Sequence, residues 1–283
     1  MTASNFLLLL SSDLKDIYDP SEISAIGRVV IDHLQRKSAA PISAEEEWSH
    51  ATATSAESIR IELKHGKPLQ YVLKEAWFDN RLFYVDPSVL IPRPETEELL
   101  DWIKKNQTDH TSINKILEVG TGSGILSISL KKAFPMAEVT ALDISAAALE
   151  VAQKNSGWLG ESVVFKTMDF TNESLWIDLP SVDILVSNPP YISEEERPLI
   201  PSNVIDHEPA LALFVPSNDP LQFYRSIGVF GRDKLNPGGR IYVEIHESRG
   251  RETANLFESL GYSVVIRTDM QGKERMIRAE RKD

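Results

Sequence analysis

The chain has 283 residues and is acidic, with 42 Asp and Glu against 30 Lys and Arg and a formal net charge of -12. It contains no cysteine, which excludes disulfides, thiolate catalysis and zinc sites built on cysteine. Apolar residues make up 42% and charged residues 25%, which is typical of a globular protein, and the length predicts about two domains. The acidic charge disfavours non-specific binding to nucleic acid, which needs clustered Lys and Arg.

The N-terminal region reads as helical. An apolar run at 6–10 is too short to span a bilayer and has no positively charged signal-peptide start before it, so we expect it to form one face of a packed helix. A helix start at 19–22 is followed by apolar residues at helical spacing. The capping-box pattern at 43–46 and the acidic residues 45–47 predict the first turn of a helix. Another helix is expected at about 51–65.

The character of the sequence then changes twice. Aromatic and apolar residues flank Asp79-Asn80-Arg81, which predicts a β-hairpin within 76–92. A helix is expected from Glu95 to about Lys105, followed by a polar linker at 106–114. From Lys115 strands and helices alternate, which predicts a mostly parallel sheet covered on both faces. Strands are expected near 115–119, 138–142, 163–167, 182–187, 240–245, 262–267 and 275–279, and helices near 124–133, 145–156, 219–235 and 249–259.

These patterns divide the chain into three parts. The first is a helical domain at 1–75, the second a hairpin linker at 76–92, and the third an α/β domain at 93–283. The longest irregular stretch, 192–218, is of a length that is usually functional or mobile inside a compact domain.

A glycine-rich turn follows the first strand of the alternating region. Residues 116–119 are apolar apart from Glu118, and Gly120-Thr121-Gly122-Ser123-Gly124 leads into a helix. Glycines allow close backbone approach to a ligand, and a helix start offers free N–H groups. Ile125 stands where the dinucleotide fingerprint has its third glycine, and no P-loop Lys follows. The alternative is a tight turn without a ligand.

Asp143 ends the next apolar strand, at the place where a carboxylate can accept hydrogen bonds from both hydroxyls of a ribose. A nucleoside without a pyrophosphate indicates S-adenosylmethionine as the cofactor. The alternative reading of Asp143 is an N-cap of the helix that begins at Ser145.

The turn Asn188-Pro189-Pro190-Tyr191 leaves the end of a buried-type strand and should face the glycine turn. Two prolines stiffen the path and remove backbone donors, so the carbonyl of Pro189 is free to accept. Asn188 adds a side-chain acceptor and Tyr191 an aromatic face. Two acceptors can hold both hydrogens of a planar NH2 group and direct its nitrogen towards a methyl donor, so most of the catalysis would be positioning. The alternative is a structural turn that closes the strand.

Together these motifs resemble class I, S-adenosylmethionine-dependent N-methyltransferases that act on planar nitrogens. The segments 66–71, 90–97 and 272–275 are similar to the HemK/PrmC family, the peptide chain release factor glutamine N5-methyltransferases. Asn-Pro-Pro-Tyr alone is shared with DNA adenine and some RNA methyltransferases, whereas the Ile-Pro-Arg-Pro-Glu-Thr-Glu of 91–97 is much more specific. The resemblance covers nearly the whole chain and is weakest over 1–60.

The resemblance implies a Rossmann-like, seven-stranded mixed sheet with a small N-terminal helical domain and a β-hairpin linker. It implies transfer of a methyl group from S-adenosylmethionine, leaving S-adenosylhomocysteine, to the glutamine of a Gly-Gly-Gln loop in bacterial-type class I release factors. The helical domain would contact the release factor. We expect a monomer in the cytoplasm, with no stable nucleic-acid or membrane partner.

Residue roles are carried over from the same resemblance. Gly120 to Gly124 would hold the methionine part of the cofactor, Asp143 the ribose, and Asp169 and Phe170 the adenine. Arg93 and Pro94 would close over cofactor and substrate. The glutamine amide would lie against Asn188, Pro189, Pro190 and Tyr191, with Glu208-Pro209 beside the site. Asn188 would also contact the cofactor.

One segment departs from the family, and two rival functions stay open. Residues 244–250 read Glu-Ile-His-Glu-Ser-Arg-Gly, where the family has Gly after Glu-Ile and Gln shortly after. His207-Glu208 and His246-Glu247 do not form a His-Glu-x-x-His motif, so no metal site is expected. The rivals are an N-methyltransferase acting on an adenine or guanine amino group of DNA or RNA, and a non-catalytic cofactor-binding or adaptor protein.

Overall fold

The computed structural model describes residues 1–38, 42–107 and 112–282. The chain forms two compact units, residues 1–75 with 202–207, and residues 76–201 with 208–283. Part of the predicted linker at 106–114 lies outside the described residues. Within the described ranges, no helix has the length and apolar character needed to cross a membrane.

The described part of the chain has helices, strands and two 3₁₀ segments. The helices are α1 (Ala3–Leu14), α2 (Pro20–Lys37), α3 (His50–Lys64), α4 (Leu69–Leu73), α5 (Pro94–Asn106), α6 (Ile125–Ala133), α7 (Ala146–Leu159), α8 (Ser202–Ile205), α9 (Ala210–Leu213), α10 (Gln222–Lys234) and α11 (Gly250–Ser259). The strands are β1 (Glu75–Phe78), β2 (Arg81–Tyr84), β3 (Lys115–Val119), β4 (Glu138–Asp143), β5 (Val164–Thr167), β6 (Val182–Ser187), β7 (Ile192–Ser193), β8 (Phe214–Val215), β9 (Leu235–Glu244), β10 (Tyr262–Thr268) and β11 (Glu274–Arg281). The 3₁₀ segments are Glu173–Asp178 and Glu194–Leu199.

The helical unit has its own apolar core. The run at 6–10 lies in α1 and buries Phe6 and Leu10. Asp19 caps α2 by accepting hydrogen bonds from the backbone N–H groups of Ser21 and Glu22, which satisfies two free donors of the first turn. The core is completed by Leu14, Ile23, Ile26, Val30, Leu34, Ala56, Ile59, Leu63 and Leu73.

The helix turn predicted at 45–47 is wrong, because residues 44–46 form a bend and α3 begins at His50. The Ser43 hydroxyl does accept from the Glu46 N–H at 2.9 Å, as a cap would. The backbone of this segment, however, pairs with the chain start: the Ala44 carbonyl accepts from the Ser4 N–H, and the Trp48 N–H donates to the Met1 carbonyl. These bonds to α1 and its start replace the bonds that a helix would make within itself.

The second unit is built on a seven-stranded mixed sheet in the order β10-β11-β9-β6-β3-β4-β5. Strands β9, β6, β3, β4 and β5 are parallel, and β11 is antiparallel to both of its neighbours. Helices α5 and α6 pack on one face and α10 and α11 on the other. The predicted α/β fold with a mixed seven-stranded sheet is confirmed.

Alternation along the central strand shows how both faces are filled. Ile184 and Val186 of β6 belong to the core under α5 and α6, while Leu185 belongs to the core under α10 and α11. Successive side chains of a strand point to opposite faces, so a continuous apolar run marks a strand covered on both sides.

The parallel register brings four strand ends to one edge of the sheet. Val119 pairs with Leu142 on one side and with Ser187 on the other, and Ser187 pairs with Val243. The residues that follow these four positions along the chain are Gly120, Asp143, Asn188 and Glu244. They therefore lie side by side where ligands of open α/β sheets bind.

Candidate active site

A cavity of about 290 Å³ lies at this edge of the sheet, within the second unit. Its wall combines the glycine turn, the ends of β4 and β6, and the segment before α5. Of the sequence-predicted residues, the lining includes Arg93, Gly120, Thr121, Gly122, Asp143, Asp169, Phe170, Asn188, Pro189, Pro190, Pro209 and Ser123. Gly124, Pro94, Tyr191 and Glu208 are not among the described residues that line it.

The glycine turn is left-handed at three positions. Gly120, Gly122 and Gly124 have φ values of 72°, 54° and 81°, a region that residues with a Cβ rarely adopt. A Cβ at Gly124 would lie 2.9 Å from Ile128 Cδ1 and 3.1 Å from Ala152 Cβ, so this glycine allows close packing of α6 on α7. A Cβ at Gly122 would meet no atom within 4 Å, so this position leaves space for a ligand.

Asp143 is held by backbone donors on both carboxylate oxygens. The N–H of Gly122 donates to Oδ2 at 2.8 Å, and the N–H of Ser145 donates to Oδ1 at 2.9 Å. Ser145 is itself the N-cap of α7, since its hydroxyl accepts from the Ala148 N–H. Burial raises the pKa of Asp143 above its ordinary value, although the backbone hydrogen bonds oppose the shift. Each oxygen has further acceptor capacity towards the cavity.

Asp169 and Phe170 form the wall after β5. Asp169 Oδ1 accepts from the backbone N–H and the hydroxyl of Thr171, at 2.9 and 2.6 Å. The Phe170 ring packs against Trp176 and Phe230, with centroids 5.2 and 5.3 Å apart. This packing fixes an apolar surface at the cavity wall.

Part of the Asn-Pro-Pro-Tyr turn lines the cavity, and part of it contacts the protein behind the cavity wall. Asn188, Pro189 and Pro190 line the cavity, and no described residue donates a hydrogen bond to the Pro189 carbonyl. The Tyr191 hydroxyl instead donates to Glu244 Oε1 at 3.2 Å. Burial, with the nearby Glu244, raises the pKa of Tyr191, so this phenol stays protonated.

A buried hydrogen-bond chain joins Asn188 to Glu244. Asn188 Nδ2 donates to Thr96 Oγ1 at 3.0 Å, and Thr96 Oγ1 donates to Glu244 Oε2 at 2.7 Å. Thr96 is 2% exposed and Glu244 is 1% exposed. Burial raises the pKa of Glu244 to about 7, although the hydrogen bonds from Thr96 and Tyr191 oppose the shift.

Glu208 anchors the segment before α5. Its Oε2 accepts from the backbone N–H of Ile91 at 3.1 Å, and its Oε1 accepts from Arg93 Nη2 at 2.5 Å. Pro94 is the first residue of α5, a position that needs no N–H donor. Glu208 therefore acts on the wall of the cavity from behind, through Ile91 and Arg93.

A buried carboxyl also underlies the glycine turn. Glu118 Oε2 accepts from the Thr121 hydroxyl at 2.5 Å and from the Ser127 N–H at 3.0 Å. Burial raises the pKa of Glu118 to about 8, with a smaller contribution from the negative charge of Asp143. Glu118 thus ties the turn to the first residues of α6.

Three residues that line or support the site were given no role from the sequence: Thr96, Glu118 and Glu244. Glu118 and Glu244 each interrupt an apolar strand close to its carboxyl end, the same type of position as Asp143. That interruption is a signal that could have identified them. Thr96 carries no such signal, because its helix position contacts Asn188 only in the folded chain.

The segment 244–250, which departs from the family pattern, contacts the Asn-Pro-Pro-Tyr turn at Tyr191. The His246 ring lies edge-on to the Tyr191 ring, with centroids 5.8 Å apart. Its Nε2 is 3.5 Å from Glu196 Oε1, and the other carboxylate oxygen of Glu196, Oε2, accepts from the N–H of Ser193. Burial lowers the pKa of His246, which favours the neutral ring. In the described ranges, no group of three or more His, Asp or Glu residues could hold a metal ion.

The cavity fits S-adenosylmethionine. Left-handed glycines give an open backbone surface, the half-buried carboxylate of Asp143 has the acceptors that a ribose would need, and Phe170 has the apolar surface that a purine would need. This sheet order and this site define a class I, S-adenosylmethionine-dependent methyltransferase. Similar folds are found in a 16S rRNA methyltransferase of T. thermophilus (TM-score 0.52, 16% identity, covering 74% of this chain and 50% of that one) and a methyltransferase of Pyrococcus furiosus (TM-score 0.51, 18% identity, covering 70% and 87%).

Sequence comparison identifies the family. The family model described as "Methyltransferase small domain" matches residues 95–209. A release factor glutamine methyltransferase of Bacteroides thetaiotaomicron is 40% identical over 275 residues, covering 96% of this chain and 98% of that protein. Another, of Flavobacterium psychrophilum, is 36% identical, covering 98% and 99%. The chain belongs to the release factor glutamine methyltransferase family.

Proposed function

We propose that the protein transfers a methyl group from S-adenosylmethionine to the side-chain amide nitrogen of the glutamine in the Gly-Gly-Gln motif of peptide chain release factors. The observation that carries this proposal is a pair of acceptors on one cavity wall. Asn188 Oδ1 and the Pro189 carbonyl both lack a donor among the described residues, and Asn188 Nδ2 is already committed to Thr96. A primary amide has two N–H groups to satisfy such a pair.

The cofactor would be held at the glycine turn. The backbone of Gly120 to Gly124 would contact its methionine part, and Asp143 would accept from the ribose hydroxyls. Asp169 and Phe170 would lie beside the adenine, with Arg93 and Pro94 at the mouth. When bound, this group supplies a methyl carbon activated by a positively charged sulfur.

The residues of the turn would orient the substrate nitrogen. An amide nitrogen is a weak nucleophile because its lone pair is delocalised. Asn188 and Pro189 would hold its two hydrogens, and the rigid Pro189-Pro190 path would fix the distance between these two acceptors. As the nitrogen gains the methyl group, it would release one of the two hydrogens as a proton to water, so that the methylated amide is neutral. Tyr191 would support the turn through its bond to Glu244, and Glu208-Pro209 would close the wall. Positioning of this kind can supply a large part of the reduction in the activation barrier for methyl transfer.

The partner would be a bacterial-type class I release factor in the cytoplasm, bound by a monomeric enzyme. The helical domain at 1–75 would dock it, and the hairpin at 76–92 would connect that domain to the catalytic part at 93–283. Exposed apolar side chains on α1, among them Leu8 at 70% exposure, support a docking role. The net charge of -12 supports a protein partner over nucleic acid.

The test is transfer of a labelled methyl group to an unmethylated release factor. We expect label on the Gly-Gly-Gln glutamine, located by mass spectrometry of the digested product. A release factor with Glu in place of that glutamine is the matched control and should stay unlabelled. Label on DNA or RNA, with none on the release factor, would refute the proposal, and no turnover at all would favour a non-catalytic role.

A further inference from the structure

The hydrogen bonds around Thr96 all run in one direction. Asn188 Nδ2 donates to Thr96, Thr96 donates to Glu244, and the Tyr191 hydroxyl donates to the other oxygen of Glu244. A hydroxyl has a single proton, so Thr96 cannot donate to both neighbours. While Glu244 is a carboxylate it can only accept, and Thr96 must then accept from Asn188.

We propose that Thr96 and Glu244 are positioning residues that set the orientation of the Asn188 amide, and thereby select a substrate amide over a carboxylate. The inference rests on the proposed function and deepens it. With Nδ2 turned to Thr96, Asn188 presents Oδ1 to the cavity. An acceptor at that point binds the N–H of a glutamine and repels the oxygen of a glutamate.

The ionisation of Glu244 controls this direction. Among the described residues, the groups that face it include Glu95 on α5, Tyr191 on the turn, Arg275 on β11, and Tyr224 on α10, whose hydroxyl donates to the Glu244 carbonyl. Glu95 raises the pKa of Glu244 and Arg275 lowers it, and burial dominates, with a resulting pKa of about 7. Above that pH the carboxylate accepts from Thr96.

Protonation of Glu244 reverses the direction of the hydrogen bonds through Thr96. The new carboxylic O–H donates to the Thr96 hydroxyl, which is then free to donate to Asn188. The amide of Asn188 turns its oxygen to Thr96 and its NH2 group to the cavity. The wall then offers a donor where the glutamine needs an acceptor, so selection for glutamine weakens as the pH falls below the pKa.

The test compares two variants of one residue. Thr96→Val removes the hydroxyl at nearly constant volume, and Thr96→Ser keeps it. Thr253→Val is the matched control, since Thr253 is a fully buried threonine on α11 whose hydroxyl has no hydrogen-bond partner among the described residues. Affinity is measured by calorimetry with S-adenosylhomocysteine present, for a release factor carrying Gly-Gly-Gln and for its Gln→Glu form.

At about pH 8.5, well above the pKa of Glu244, we expect wild type to favour the Gln form by about 100-fold or more. Thr96→Val should reduce this ratio about 10-fold, since its Asn188 amide is free to turn. Thr96→Ser and Thr253→Val should keep the ratio within about threefold of wild type. An unchanged ratio in Thr96→Val would overturn the inference while leaving the proposed function intact.

A second measurement needs no variant. For wild type, the Gln-over-Glu ratio should fall about 10-fold between pH 8.5 and about pH 6, where the glutamate of the release factor is still ionised. A ratio independent of pH would overturn the role of Glu244. Failure of both release factor forms to bind, together with no methyl transfer, would instead refute the proposed function.

Discussion

Glu208 Oε1 accepts a hydrogen bond of 2.5 Å from Arg93 Nη2, although 115 positions separate the two residues. The Glu208 side chain is 2% exposed, and the Arg93 side chain is 34% exposed. Glu208 also accepts from the Ile91 N–H. One carboxylate thus fixes both the backbone and the cation of the segment that closes the cavity.

Glu208→Ala should therefore destabilise the protein and loosen this wall. The change leaves the Ile91 N–H without an acceptor and Arg93 without its partner, and we expect the free energy of unfolding to fall by about 1–3 kcal/mol. Affinity for S-adenosylmethionine should fall as well. Chemical denaturation and calorimetry would measure the two effects.

The control for Glu208 is an ion pair at the surface. Glu194 and Arg197 pair at 2.9 Å with side chains 51% and 39% exposed. Glu194→Ala should change the free energy of unfolding by about 0.5 kcal/mol or less, because solvent already screens the pair. An equal loss in both variants would contradict the anchoring role of Glu208.

Gly122→Ala should separate ligand binding from folding. Gly122 has φ of 54° and open space at its Cβ, so alanine costs about 1 kcal/mol of backbone strain without a clash in the protein. The methyl group would stand where the cavity needs free backbone. We expect a small drop in melting temperature and at least a 10-fold loss of affinity for S-adenosylmethionine.

Two other glycines serve as comparisons for Gly122→Ala. Gly238 has φ of 76°, no atom within 4 Å of its Cβ, and no place in the cavity wall, so Gly238→Ala should show the same small loss of stability with normal affinity. Gly124→Ala should be the least stable of the three, since its Cβ would meet Ile128 and Ala152. Equal affinity loss in Gly122→Ala and Gly238→Ala would refute a binding role for Gly122.

Much of the fold could be predicted because local pattern and tertiary position agree. Apolar runs bounded by turns predicted β3, β4 and β6 closely, and their parallel order placed the glycine turn, Asp143 and Asn188 at one edge. Strand β9 begins at Leu235, five positions before the prediction at 240, because Asn236-Pro237-Gly238-Gly239 carries no strand pattern. Its early pairing of Leu235 with Val182 depends on the neighbouring strand.

The supporting contacts of the site could not be predicted, because they join distant segments. The hydrogen bond from Asn188 to Thr96 joins residues 92 positions apart, and the one from Thr96 to Glu244 joins residues 148 positions apart. No local pattern encodes such a pairing. The capping pattern at 43–46 failed for the same reason, since the chain start competes for that backbone. The cofactor and substrate roles of the site residues stay predictions.

Stability should fall as the pH rises through the range in which Glu118 titrates. The carboxyl has an ordinary pKa of 4.5, and burial raises it to about 8 in the fold. The folded protein keeps a proton that the unfolded chain releases between these values, so the stabilisation is complete below pH 4.5 and lost as the pH rises to about 8. At about 1.4 kcal/mol per pKa unit, the loss is several kcal/mol.

Glu118→Gln should remove most of this slope. The Gln oxygen can still accept from the Thr121 hydroxyl and the Ser127 N–H, without a charge to bury. Denaturation of the ligand-free protein between about pH 5 and pH 8 should show wild type losing stability and the variant nearly flat. Some slope should remain, because burial also raises the pKa of Glu244. Parallel curves would show that Glu118 is ionised in the fold.

Asn188→Ala should lower turnover strongly while keeping the cofactor bound. The change removes one of the two acceptors proposed to hold the glutamine amide, and the loss of one oriented hydrogen bond at a reacting group lowers kcat by about 100-fold or more. Affinity for S-adenosylmethionine should stay within about threefold, because the glycine turn and Asp143 are unchanged. Asn255→Ala, on the exposed surface of α11, is the matched control and should have normal kcat and affinity. A near-normal rate in Asn188→Ala would refute the acceptor role, and a matching loss of cofactor affinity would place Asn188 in cofactor binding instead.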